Sequence, residues 1–281
     1  MPVVNVNGID LAYERHLGAG GGDKPPVILV CGTGQQAVSW TMFGLIATFT
    51  SAGYEVITFE NRGMRPSTCP PPPWTTDDMA DDAIGLISQL CDQPVHLLGA
   101  SLGANIVHAA ALRRPDLVRT ATMVVGGTQF VAGYQPLMRG VVELFEEHGR
   151  IPAAIDLYVN IMSILPPAAR ADPDQIASIE ALADTFIAGF GPGGQHGQIA
   201  ANVSWMDGGE SRITELAGMQ VPCLMTANEH DPFFALADMQ QAAATIPDCQ
   251  LEVFPRVSHV PVDPDTMARL NAVTVEFFSA H

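Results

Sequence analysis

Three side chains of the kinds needed for nucleophilic catalysis follow one another along this sequence: Ser101, Asp231 and His259. Ser101 stands at the centre of Gly99-Ala100-Ser101-Leu102-Gly103, a GxSxG pattern between the apolar run VHLLGA and a helical stretch from Leu102 to Arg113. A strand that turns sharply into a helix brings the two backbones together, and only very small residues on either side of the serine let them approach. A serine hydroxyl is a poor nucleophile until a base takes its proton, and that base must itself be oriented. His259, in FPRVSHVPVD, supplies a candidate base, and Asp231, in TANEHDPFF, a candidate orienting acid. Glu229 competes with Asp231, because positions two apart share a face of any continuing strand. Acyl chemistry also needs donors for a developing oxyanion. The backbone N–H groups of Thr33, in VCGTGQQAVSW, and of Leu102 suit that task, and Leu102 opens a helix whose dipole favours negative charge.

These residues need elements that bring them to one place. Val3–Val6 and Ile9–Glu14, parted by Asn7-Gly8, read as a hairpin, and a Gly-rich loop follows at Gly18–Gly22. PVILVCG, YEVITFENRG, VHLLGA, TATMVVGG, VPCLMTANEHD and LEVFP then carry the continuous apolar runs of doubly buried parallel strands. Helical patterns alternate with them. One bears Met79, Ala83, Leu86, Ile87 and Leu90 on a single face behind a capping box at Thr75 and Asp78. Another opens at Asp263-Pro264 and carries Met267, Leu270, Val273, Phe277 and Phe278. The alternation specifies a mostly parallel sheet flanked by helices on both faces, with its active residues at the strand C-terminal ends. Between Gly127 and about Gly208 the strand signal lapses, and a helical insertion is expected there.

The chain resembles the α/β-hydrolase superfamily over nearly its whole length. The GxSxG elbow, the order Ser, acid, His, and the glycine loop after the third strand carry the resemblance, and FENRGMRPS is similar to the D-x-R-G-x-G-x-S loop that follows the fourth. Glu60-Asn61 replaces the usual opening acid, and Cys31 stands where relatives commonly have histidine. The resemblance implies an α/β-hydrolase fold with a core of residues 1–127 and 209–281 and a helical cap of residues 128–208 inserted after strand 6. It implies Ser101 as nucleophile, His259 as base, Asp231 as acid, and Thr33 and Leu102 as the oxyanion hole. Pro232, which favours a turn at Asp231, and the register of the family's acid loop choose Asp231 over Glu229. The cap is read as a lid over an apolar pocket, with Gln35, Trp74, Phe130, Met138, Tyr158 and Met162 as substrate-binding candidates. The expected activity is cleavage of an ester, thioester or lactone of a small, largely apolar molecule. A narrower similarity, to bacterial hydrolases that tailor secondary metabolites, rests on GTGQ, SW, NRG and the proline-rich loop. Two alternatives remain open: a cyclase, lyase or acyltransferase on the same scaffold, and a ligand-binding receptor that retains it.

Composition narrows the partners. Thirteen Lys and Arg against thirty Asp and Glu give a formal charge of −17, which excludes the clustered basic surface that nucleic acid requires and repels anionic membranes. Five scattered cysteines without a CxxC pair predict neither a disulfide framework nor a zinc site. No His, Asp and Glu cluster has metal-ligand spacing, and no cofactor is expected. MPVVNVNGIDLAYERH lacks a basic region followed by an apolar run, so a signal peptide is not expected and the cytoplasm is the expected location. The expected partner is a small-molecule substrate, with oligomeric state open. His96, in the strand before the elbow, and His108, in the helix after it, are expected to be satisfied core or surface residues without a catalytic role.

Overall fold

Val27–Val30 and Val56–Phe59 are buried at every position, as runs that are apolar except at Thr58 require of strands covered on both faces. The computed structural model describes residues 1–21 and 24–281; Gly22, at the end of the Gly18–Gly22 loop, Asp23 and the side chains of Phe186 and Glu210 lie outside the described residues. The strands are β1 (Val3–Val6), β2 (Ile9–His16), β3 (Val27–Val30), β4 (Val56–Phe59), β5 (Val95–Ala100), β6 (Val118–Val124), β7 (Cys223–Asn228) and β8 (Cys249–Phe254). They form one eight-stranded sheet in the order β1-β2-β4-β3-β5-β6-β7-β8. The opening hairpin is antiparallel to its neighbours and every later pairing is parallel.

The helices are α1 (Ser39–Met42), α2 (Leu45–Ser51), α3 (Thr76–Leu90), α4 (Leu102–Arg113), α5 (Gln135–His148), α6 (Ala153–Ile164), α7 (Pro173–Glu180), α8 (Ala183–Ala188), α9 (Gly194–Asp207), α10 (Gly209–Leu216), α11 (Leu236–Thr245) and α12 (Pro264–Ala280). One face of the sheet buries Met79 and Leu86 of α3, Ile106 of α4, Trp205 of α9 and Met239 of α11. The other buries Trp40 of α1, Phe49 of α2, and Leu270, Phe277 and Phe278 of α12. The start of α3 is fixed by a reciprocal cap: Thr75 Oγ1 accepts from the Asp78 N–H, and an Asp78 carboxylate oxygen accepts from the Thr75 N–H. Asp263 likewise caps α12 by accepting from the Thr266 N–H at 2.8 Å.

Between β6 and β7 the described residues contain helices and no named strand, as the lapse in strand signal predicts. His96 and His108 are both buried, the first with its Nδ1 2.8 Å from Thr120 Oγ1 and the second edge-on to Trp205. Burial pushes each imidazole down to about 3, so both are neutral core residues. All five cysteines are free thiols. No helix among the described residues is long and apolar enough to cross a membrane.

Parallel register sets the position of the site. Val30 pairs with Gly99, Ala100 with Val124, Val124 with Thr226, and Asn228 with Phe254. Hence β3, β5, β6, β7 and β8 all end along one edge, and the loops that follow them share that edge.

Candidate active site

Ser101 follows β5 directly and adopts φ 56°, ψ −120°, an unusual backbone conformation for a residue with a Cβ. Its N–H donates to the Val124 carbonyl at 2.9 Å, and its own carbonyl accepts from the Ala104 and Asn105 N–H groups. The strain is therefore held from both sides. A Cβ on Gly99 would collide with the Gly103 carbonyl, and one on Gly103 with the Val30 carbonyl, which gives the two glycines of the elbow their steric reason. The Ser101 side chain does not cap α4, so its hydroxyl is not spent on the first turn.

The acid and the histidine come from the neighbouring strand ends. β7 stops at Asn228, the chain turns at Asp231-Pro232, and Asp231 Oδ1 accepts from the N–H groups of Phe233 at 2.8 Å and Phe234 at 3.1 Å. Its Oδ2 lies 2.7 Å from His259 Nδ1, with the Asp231 side chain 2 % and the His259 side chain 7 % exposed. Phe233 meets the imidazole edge-on at 4.9 Å between centroids, and Phe234 lies 5.9 Å away. Asn228 Nδ2 donates to the Ser258 and His259 carbonyls, tying the two loops together. Glu229 is engaged elsewhere: its Oε2 accepts from the Arg256 N–H at 2.8 Å, at a residue with φ 60°.

Ser101 and His259 line the same cavity, of about 380 Å³, together with Thr33 and Gln35 of the glycine loop. Most of the remaining wall is apolar, from Phe130, Tyr134, Met138, Val141, Ile155, Val159, Ile199 and Leu270 among others. That size and lining suit a small organic molecule with few polar groups.

The glycine loop is held by Gln35 itself, by Glu60-Asn61, and by two side chains that sequence reasoning did not find, Gln198 and Asn202. Gln35 Oε1 accepts from the Gly32 N–H and its Nε2 donates to Ser39 Oγ, both at 2.8 Å. From α9, Gln198 accepts from the Gly34 N–H and Asn202 donates to Thr33 Oγ1, again at 2.8 Å. Asn61 Nδ2 donates to the Cys31 carbonyl, and Glu60 Oε1 accepts from the Ala37 N–H. Thus the Glu60-Asn61 departure supports the loop from below, while Cys31 Sγ accepts from Trp40 Nε1. Burial is the largest influence on Glu60, raising its carboxyl to about 7 against the Ala37 hydrogen bond, with Glu14 adding to the rise. The Glu60 Oε2 atom is buried and unpartnered among the described residues.

Of the substrate-binding candidates, Gln35, Phe130 and Met138 line the cavity; Trp74, Tyr158 and Met162 do not. Trp74 is buried between Gly63 and Gly197, where any Cβ would strike its ring, and its Nε1 donates to the Pro71 carbonyl. Tyr158 is 55 % exposed. Tyr158 and Met162 lie on the flank of α6 beside Ile155, just outside the cavity-lining face that runs through Ile155, Asp156, Val159, Asn160 and Ser163. Met162 contributes through its backbone instead, since its carbonyl accepts from Ser258 Oγ at 3.0 Å. The Ser163 carbonyl accepts from the Val260 N–H at 2.9 Å, so α6 grips the chain on both sides of His259.

A profile of the family described as alpha/beta hydrolase fold matches residues 25–265. BpoC of Mycobacterium tuberculosis, which carries a non-heme bromoperoxidase name, is 30% identical over 154 residues, and this match spans 55% of the chain and 56% of that protein. A 2-hydroxy-6-oxononadienedioate/2-hydroxy-6-oxononatrienedioate hydrolase of Pseudomonas putida is 25% identical over 89% of the chain and 86% of its own length. Among solved structures, the enol-lactonase of Burkholderia xenovorans LB400 superposes with a TM-score of 0.80 at 20% identity, covering 99% of this chain and 100% of that one. Sheet order, strand-end loops and the family match agree: the chain belongs to the α/β-hydrolase family of enzymes.

Proposed function

We propose that this enzyme is a serine hydrolase that cleaves an ester, thioester or lactone of a small, largely apolar molecule by way of an acyl-enzyme. Ser101 Oγ attacks the carbonyl carbon while His259 Nε2 takes its proton, and Asp231 stabilises the imidazolium through Nδ1. The N–H groups of Thr33, in the glycine loop, and of Leu102, at the start of α4, receive the oxyanion. His259 then protonates the leaving group. A water molecule, deprotonated by the same imidazole, attacks the acyl carbonyl and releases the acid and Ser101. The observation that carries the reading is the 2.7 Å Asp231–His259 contact on the wall of the cavity that Ser101 also lines.

Residues 128–208 act in this reading as the cap, with α5 and α6 forming the outer wall of the cavity. Its apolar lining selects hydrocarbon-rich acyl or alcohol groups. A relative in Streptomyces peucetius, 26% identical over 56% of the chain, carries the name rhodomycin D methylesterase and favours a carboxylic ester as the scissile group. The dioate substrate in the name of the Pseudomonas putida relative is not carried over. A dianion calls for cations, and the described lining residues include neither Lys nor Arg.

Turnover of matched ester, thioester and lactone panels, with Ser101→Ala alongside the wild type, tests the proposal. A burst of alcohol or thiol release equal to the enzyme concentration, lost in the variant, is expected. Wild-type turnover by Ser101→Ala would exclude the acyl-enzyme, and product formed only with an added alcohol would make the enzyme an acyltransferase.

A further inference from the structure

Asp156 stands in the first turn of α6 and lines the cavity that holds Ser101. It is the one Asp, Glu, Lys or Arg among the described lining residues. Gln195, in the first turn of α9, donates from Nε2 to Asp156 Oδ1 at 2.6 Å. No Lys, Arg or His forms an ion pair with Asp156 among the described residues. Removal from water raises its carboxyl above the ordinary range, and the Gln195 bond pulls it back.

A carboxylate at a helix start enjoys the helix dipole, but it would do so equally well facing solvent. This one is half-buried on a wall shared with Ile155, Val159 and Ile199. An unpaired charge in such a place is unfavourable, and an apolar residue would cost less. Gln195 fixes the orientation of the carboxylate without neutralising it, which leaves one oxygen and the whole charge for something else. The proposed function identifies no group that would meet it, since the scissile carbonyl faces Ser101 and the oxyanion donors.

We propose that Asp156, oriented by Gln195, is a specificity determinant that receives a protonated amine carried by the substrate. The inference rests on this cavity being the substrate site. A cation is favoured over a neutral hydroxyl because the carboxylate lacks any counter-charge, and because a chain of formal charge −17 concentrates cations around itself. The substrate class is then an apolar ester, thioester or lactone bearing a basic nitrogen, and carboxylate-bearing acyl groups are disfavoured by like charge.

Binding of n-hexylammonium, n-hexanol and n-hexanoate to the wild-type chain at about pH 8, where both the amine and the free carboxylate are charged, tests this by calorimetry. Hexylammonium should bind about tenfold more tightly than hexanol, as a charge-assisted hydrogen bond requires, with hexanoate weakest. In Asp156→Asn the preference for the amine over the alcohol should shrink to about twofold or less. Hexanol binding as tightly as hexylammonium, or no binding of the amine, would overturn the proposal. So would an amine preference that persists in the variant. Should the variant fold poorly, the three wild-type affinities decide alone. Fluorophosphonate labelling of Ser101 on the same preparation separates the two readings. Labelling without amine preference leaves the hydrolase and removes the amine site, whereas amine preference without labelling does the reverse. Protection of Ser101 from labelling by hexylammonium places the amine in this cavity, and an amine that binds without protecting overturns the inference.

Discussion

Replacing Asp231 by asparagine changes one atom in the site yet should nearly silence the enzyme. Asp231 Oδ1 accepts two backbone N–H groups, from Phe233 and Phe234, and only an oxygen can serve there. Turning the amide the other way would set an NH2 group against both donors, at roughly 1–3 kcal/mol for each buried donor left unpaired. The asparagine Nδ2 is therefore directed at His259 Nδ1, where the carboxylate oxygen stood at 2.7 Å. A donor in that position obliges Nδ1 to accept, so the ring proton moves to Nε2. An imidazole protonated on Nε2 cannot take the serine proton. The same substitution in a comparable triad lowers kcat about 10⁴-fold, which corresponds to roughly 5.4 kcal/mol of transition-state stabilisation. Glu229→Gln is the control, since its Oε2 accepts only the Arg256 N–H and an amide oxygen can do the same. Steady-state kcat on one p-nitrophenyl ester near neutral pH, with the folded state verified by its melting transition, compares the two. An Asp231→Asn loss below about tenfold, or a large loss confined to Glu229→Gln, would refute the assignment.

Other perturbations follow from the same geometry. Glu60 titrates at about 7 when folded against an ordinary 4.5, so between those values the native state holds a proton that the unfolded chain has released. Stability then falls as pH rises through this window, by on the order of 3 kcal/mol once above 7, and Glu60→Gln, which cannot ionise, escapes the loss. The melting temperature of Glu60→Gln relative to wild type should rise by roughly 5 °C between pH 4.5 and pH 8, and a constant difference would contradict this. Gly103→Ala must push its methyl into the Val30 carbonyl, and chemical denaturation should show a loss of about 3 kcal/mol or more. Lengthening an unbranched acyl chain should raise kcat/KM about fourfold per methylene, at about 0.8 kcal/mol each, until the cavity is filled. A flat series would show that the apolar wall does not meet the acyl group.

What could be read from the sequence is what the strands fix. Ser101, Asp231 and His259 each lie within a few residues of the end of a parallel strand, and such ends lie along one edge whenever the alternation of strands and helices is correct. The elbow was legible for a further reason, because Gly99 answers to the Gly103 carbonyl within the same five residues, although Gly103 answers to the Val30 carbonyl of the neighbouring strand. Residues on helices carried no such register. α6 is AAIDLYVNIMSI, apolar on nearly every side, so periodicity could not tell Ile155 and Val159, which line the cavity, from Tyr158 and Met162 on the adjoining flank, which do not. Trp74 looked like a pocket wall because it ends a proline-rich loop, but the missing side chains of Gly63 and Gly197 make the space that buries it. Gln195, Gln198 and Asn202 of α9 reach Asp156, Gly34 and Thr33 across gaps of 39, 164 and 169 residues, and no local pattern announces such pairs. The Glu60-Asn61 pair was visible as a departure from the family's loop, while its support of the glycine loop emerges only once β3 and β4 lie side by side.

The central claim is that Ser101 is an activated nucleophile served by His259 and Asp231. Exposure of the intact chain to a fluorophosphonate, followed by mass spectrometry of the proteolytic peptides, tests it most directly. A single adduct on the peptide carrying Ser101 is predicted, formed in step with loss of esterase activity, absent in Ser101→Ala and strongly slowed in Asp231→Asn. No adduct, an adduct on another residue, or labelling of Ser101 that leaves turnover intact would contradict it.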